Sequence, residues 1–128
     1  MSGVFKGEGL AARFLANEAI TMGNIVYLDD DEEANVGTVA QEARAVGVAY
    51  GGDYRGKTGT SGVVAAGNGV SVGFKGLFEV TAGAAIEAGR GVQAGNDGTV
   101  LQWDGADKLL GNTIEQATAS GDKILVVF

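Results

Sequence analysis

Apolar residues come along this chain in short, β-branched runs bounded by glycine, and almost nowhere at helical spacing. Asn24-Ile-Val-Tyr-Leu28, Ala45-Val-Gly-Val-Ala-Tyr50, Gly69-Val-Ser-Val-Gly-Phe74, Gly76-Leu-Phe-Glu-Val80 and Lys123-Ile-Leu-Val-Val-Phe128 each have the length and residue types of a strand. Turn signals separate such runs: Asn96-Asp-Gly98, Asp104-Gly105 and Ser120-Gly-Asp122. The strongest hairpin signal is Asn96-Asp-Gly98, set between Val92 and Val100. Val39-Ala-Gln-Glu-Ala-Arg-Ala45 has some helical character but is too short to change the class. The pattern predicts an all-β fold.

The pattern also repeats. Ala19-Ile20-x-x-Gly23-x-x-Val26 recurs as Ala85-Ile86-x-x-Gly89-x-x-Val92, and Ala66-Gly67-x-x-Val70-x-Val72 as Ser120-Gly121-x-x-Ile124-x-Val126. Between them, Ala45-Val46-Gly47-x-Ala49 has a looser echo in Leu109-Leu110-Gly111-x-Thr113. The copies span about residues 19–72 and 85–126, and the first carries an extra loop of about ten residues around Gly51–Ser61. In each Ile-x-x-Gly-x-x-Val element, glycine supplies a positive-φ turn or bulge and the flanking apolar residues point into one core. Two such copies predict a small β-barrel or β-sandwich closed by pseudo-symmetry. Residues 18–128 form that domain, while residues 1–17 read either as an N-terminal arm or as a first strand.

Composition narrows the chemistry. The 128 residues include no histidine and no cysteine, which removes Ser-His and Cys-His nucleophile pairs, disulfides and His/Cys metal sites. Glycine accounts for 23 residues and proline for none, unlike a Pro/Gly linker or collagen. Sixteen acids against nine bases leave a net charge of −7, a surface that repels phosphate, so no nucleic-acid partner is expected. No stretch approaches the roughly 18 apolar residues of a membrane span, and no membrane partner is expected. The N-terminus lacks a signal-peptide layout, which implies synthesis in a cytoplasm without export by that route.

One motif resembles a catalytic signature. Gly51-Gly-Asp-Tyr-Arg-Gly56-Lys57-Thr58 matches the phosphate-cradling P-loop, in which Lys57 would reach the β- and γ-phosphates and Thr58 would ligate Mg²⁺. A P-loop must open a helix, however. Glycines at 59, 62, 67, 69 and 73 follow instead, each costing about 1 kcal/mol in a helix interior. The match also falls in the loop that only one repeat has. It reads as a chance product of glycine content, and no cofactor is expected. Asp29-Asp-Asp-Glu-Glu33 clusters carboxylates as a Ca²⁺ site would, but lacks the glycine and distal glutamate of an EF-hand, so a solvated turn is expected and no metal. Gly67-x-Gly69-x-x-x-Gly73 misses the dinucleotide spacing. No spacing singles out two carboxylates for glycosidase chemistry. Trp103, Phe74 and Phe78 read as core or interface residues.

The element Ala-Ile-x-x-Gly-x-x-Val, the strand Lys75-Gly76-Leu77-Phe78-Glu79-Val80 and the ending Leu110-Gly-Asn-Thr-Ile-Glu-Gln-Ala-Thr-Ala-Ser-Gly-Asp-Lys-Ile-Leu-Val-Val-Phe128 carry a family likeness. Over residues 18–128 they resemble the small capsid decoration (cement) proteins of tailed phages and viruses, including a phage-associated family once labelled recombinase-like. The resemblance implies a non-enzymatic structural protein on the outer surface of an icosahedral shell. It implies the major capsid protein as partner and a homo-oligomer, a trimer by analogy. Many weak contacts on a repeating lattice supply avidity without a catalytic site. Val4, Phe5, Leu10, Phe14 and Leu15 are the candidate capsid contacts, if the N-terminal segment adds a strand to a capsid-protein edge. A β-rich tail- or fibre-associated adhesion module is the alternative from another class, and a nucleotide-binding protein resting on Lys57 and Thr58 the third.

Overall fold

A computed structural model describes residues 11–52 and 62–128. Twelve strands make up this part: β1 (Ala11–Leu15), β2 (Ile20–Thr21), β3 (Ile25–Leu28), β4 (Ala34–Val36), β5 (Ala45–Gly52), β6 (Val63–Val64), β7 (Gly69–Gly73), β8 (Leu77–Thr81), β9 (Gly91–Ala94), β10 (Val100–Gln102), β11 (Gly111–Thr113) and β12 (Lys123–Val127). Helical content among the described residues is limited to 3₁₀ turns at Glu42–Arg44 and Asn96–Gly98. The fold is all-β: two five-stranded antiparallel sheets in a sandwich, with β2 and β6 as a small third sheet. Each of the five predicted apolar runs is a strand. The predicted hairpin joins β9 to β10, with Asp97 and Gly98 at φ of 58° and 73° supplying the turn.

The first sheet runs β1-β7-β5-β3-β4 and the second β8-β12-β11-β9-β10, the same order strand for strand. Details outside the ladders match too. The amide of Gly23 donates to the Ala49 carbonyl at 2.7 Å, and that of Gly89 to the Thr113 carbonyl at 2.8 Å. Both glycines have positive φ, 91° and 81°, a backbone state that disfavours side chains. Gly37 donates to Ile25 as Trp103 does to Gly91, and Asn17 to Ala34 as Gly83 does to Val100. Ile20 pairs with Val64, and Ile86 bridges to Ala117. Where β11 stops at Thr113, β5 bulges between Ala49 and Gly51 and continues to Gly52.

Two apolar clusters form the core. One lies within the first half: Ala16, Ile20, Val26, Ala34, Ala49, Val64, Val70 and Val72. The other holds the inner face of the second sheet, including Val80, Ile86, Val92, Val100, Ile124 and Val126. It also takes Ile25, Ala45 and Val48 from the first sheet. Successive residues of a strand point to opposite faces, so Val26 enters one cluster and Ile25 the other. The first sheet is therefore buried on both faces, each fully buried Val or Ile adding about 1.5–3 kcal/mol.

Candidate functional site

Ala11–Leu15, within the segment that the sequence left as arm or first strand, pairs along its whole length with β7 as the edge strand of the first sheet. Alternation along β1 half-buries Phe14, whose ring meets Phe74 edge-on at 6.2 Å, and leaves Leu15 exposed. Val4, Phe5 and Leu10 lie outside the described residues. So do Gly56, Lys57 and Thr58 of the P-loop-like match; Gly51 is a strand residue opposite Ser71, and the chain after the loop re-enters a strand, β6, instead of a helix.

The acidic turn is internally satisfied at Asp29. Its carboxylate accepts from the Asn35 side-chain amide at 2.9 Å and from the amides of Glu33 at 3.0 Å and Asp31 at 2.9 Å, which holds it below the ordinary aspartate range. Asp30 pairs instead with Arg44. Among the described residues no three acidic side chains gather as a metal site would require.

A second acidic loop ties the halves together. Asp104 accepts from the amides of Asp107 and Ala106, and these hold its carboxyl down to about 2. Its neighbour Asp107 is raised by sharing a hydrogen bond with Asp104 and by partial desolvation. The Gln93 side chain accepts from the Asp104 amide and donates to Asp107, which explains why a glutamine is buried in β9. Lys108 then reaches the first half, its Nζ donating to the Ala45 carbonyl at 2.7 Å and its amide to Glu42 at 3.0 Å. Asp122 is lowered by the amide and hydroxyl of Thr118 and the amide of Ala119. These carboxylates fix turns.

Two clefts repeat with the fold. Ala85, Ile86, Glu87 and Gln102 border one of about 350 Å³, and the corresponding Ala19, Thr21 and Val36 border one of about 390 Å³. Both are open and mix apolar with polar walls. Exposed apolar side chains lie in both halves, Leu15, Val39 and Tyr50 in the first. Leu77 and Val127 stand side by side on the second sheet, with Trp103, Leu109 and Ile114 also exposed in the second half. The sequence carried one signal for this face: Ile124-Leu-Val-Val-Phe128 does not alternate, as expected of a strand covered on both sides.

Fold and surface together define a duplicated β-sandwich whose second sheet leaves Leu77 and Val127 exposed on its outer face beside Glu79, Lys123 and Asn112. No family model matches the chain, and no curated protein matches its sequence. Among solved structures it is similar to the crystal structure of the head fiber gp8.5 N base of bacteriophage phi29, with a TM-score of 0.65 at 20% identity. The alignment covers 93% of this chain and 92% of that one. At that identity the likeness is one of fold.

Proposed function

We propose that the chain is a non-enzymatic structural protein of a tailed-virus particle, seated on the outside of the head in the manner of a head-fibre base. The observation that carries this reading is the end-to-end fold likeness to the phi29 head fiber base. The sequence resemblance to capsid decoration proteins points independently to the same location, the outer surface of a shell. The narrower reading drawn from that resemblance, cement protein, has the major capsid protein as partner and a homotrimer as the working unit. It keeps Val4, Phe5, Leu10, Phe14 and Leu15 as candidate capsid contacts, with Phe14 and Leu15 reaching the shell from the edge strand β1.

Location and copy number test both readings. Gold-labelled antibody on purified particles should decorate the head; label confined to the tail, or absent, overturns the proposal. Quantitative mass spectrometry against the major shell protein then separates the two. Copies in simple ratio to shell subunits favour cement, and a smaller discrete number favours a fibre base.

A further inference from the structure

The two cores are not equivalent, and the duplication makes the difference readable position by position. Among the described residues, the first half's cluster is closed by side chains of that same half: Phe14, Met22, Leu28, Val36, Val46 and Phe74. The second half's cluster is completed from outside. Ile25, Ala45 and Val48 of the first sheet enter it, and none is more than 1% exposed.

Side-chain volume explains the dependence. At matched strand positions the first half has Phe14 and Leu28 where the second has Val80 and Ala94. Val64, paired with Ile20, stands where Ala117 bridges to Ile86. Val100 and Ile124, in the places of Ala34 and Val70, recover part of that volume; Ile25 and Val48 fill the rest. Removing the first half would open the second half's cluster to water on one side. Removing the second half would bare only the outer row of the first and leave its own cluster closed. At the rim the halves are joined by hydrogen bonds, from the Val39 amide to Asn96 Oδ1, the Gly98 amide to the Gly37 carbonyl and Lys108 Nζ to the Ala45 carbonyl. Water replaces such bonds at small net cost.

We infer that the second half is the unit that opens: it unfolds away from the first, which stays folded until the whole chain unfolds. Proteins open in contiguous units of unequal free energy. Here the unit that borrows its closing residues is the one with less to hold it. Its opening bares Ile25 and Val48, an apolar strip that the closed protein conceals. The inference rests on the internal duplication and stands apart from the viral reading.

Hydrogen exchange of the full chain, followed amide by amide in sub-denaturing urea, tests it, with circular dichroism to verify that each variant folds. Amides of β9, β11 and β12 should exchange through an opening of lower free energy and smaller urea dependence than those of β5 and β7. Val70→Ala trims only the first half's own cluster. It should speed exchange in β5 and β7 and leave β9, β11 and β12 unchanged at low urea. Ile25→Ala, at the junction, should speed both sets, on the order of 30-fold or more. If Val70→Ala fails to fold, Val72→Ala takes its place with the same expectation. One free energy and one urea dependence shared by the slowest amides of both halves overturns the inference. So does a first half that exchanges before the second, or equal acceleration of both halves by Val70→Ala.

Discussion

The two halves share a strand order and even their turn hydrogen bonds, yet the same lattice positions live in different surroundings. Ile25, Val48 and Gly73 are buried in the first half; Gly91, Asn112 and Val127 stand at or near the surface in the second. Side-chain size follows the surroundings. Where the Phe78 ring presses on the sheet the residue is glycine, and at the matching half-exposed position it is valine. Duplication thus preserved the backbone scheme, while packing between the halves set the residues on one face. A substitution at matched positions should therefore have unequal consequences.

The largest inequality is expected at Ile25. Ile25→Ala removes a fully buried side chain from the junction between the halves and should cost about 2–5 kcal/mol, read from urea unfolding. Leu109→Ala, which removes a comparable volume from the matching place outside the second sheet, should stay within about 0.5 kcal/mol in the monomer. Equal losses would mean that the first sheet's outer face is not the one that is packed.

A smaller inequality separates Gly73 from Val127. Gly73→Val forces a side chain against the Phe78 ring and should cost about 1–3 kcal/mol, as overpacking does. The reverse exchange, Val127→Gly, loses only strand propensity at a half-exposed site, about 0.5–1 kcal/mol. Thermal midpoints of the two variants decide the order. Restoration of Gly73→Val by a second change, Phe78→Ala, would identify the ring as the obstacle.

Much of this architecture was legible in the residues. The five apolar runs became β3, β5, β7, β8 and β12, and Asn96-Asp-Gly98 turned the hairpin, because each carries its instruction locally. The spaced glycines of the repeat likewise became paired positive-φ turns. Strands β4 and β11 were not legible. Ala34-Asn-Val36 and Gly111-Asn-Thr113 each have an asparagine at the centre, a residue depleted in strands, and β11 is held by ladders on both sides. Asn35 is tolerated because its side chain accepts from Asn17 and donates to Asp29. The choice between arm and first strand could not be made from Phe14 and Leu15, since an edge strand and a docking arm use the same alternation. The apolar outer row escaped notice for a different reason. Leu77 and Val127 sit in strands whose buried members already accounted for their hydrophobicity.

The smallest expected effect compares the turns of the halves through pH. Asp29 in the first half and Asp104 and Asp122 in the second are all held below their ordinary value of 3.8, Asp104 to about 2, by hydrogen bonds that the unfolded chain lacks. A carboxyl with a depressed folded pKa contributes stability above its unfolded value and loses it as pH falls through the folded one. Asp107 opposes them: its raised pKa is a penalty on the charged form that acidification relieves. Asp29, Asp104 and Asp122 therefore lose stability as pH falls from about 4 toward 2, Asp104 over the widest range, and Asp107 offsets part of that loss within the second half. Exposure keeps each contribution small. The urea midpoint should therefore fall over that window, and Asp122→Asn should flatten the fall, whereas in Asp104→Asn the flattening is partly offset because the change also removes the hydrogen bond that raises Asp107. An unchanged slope in both variants would assign acid sensitivity to the Asp29 turn and reverse the comparison.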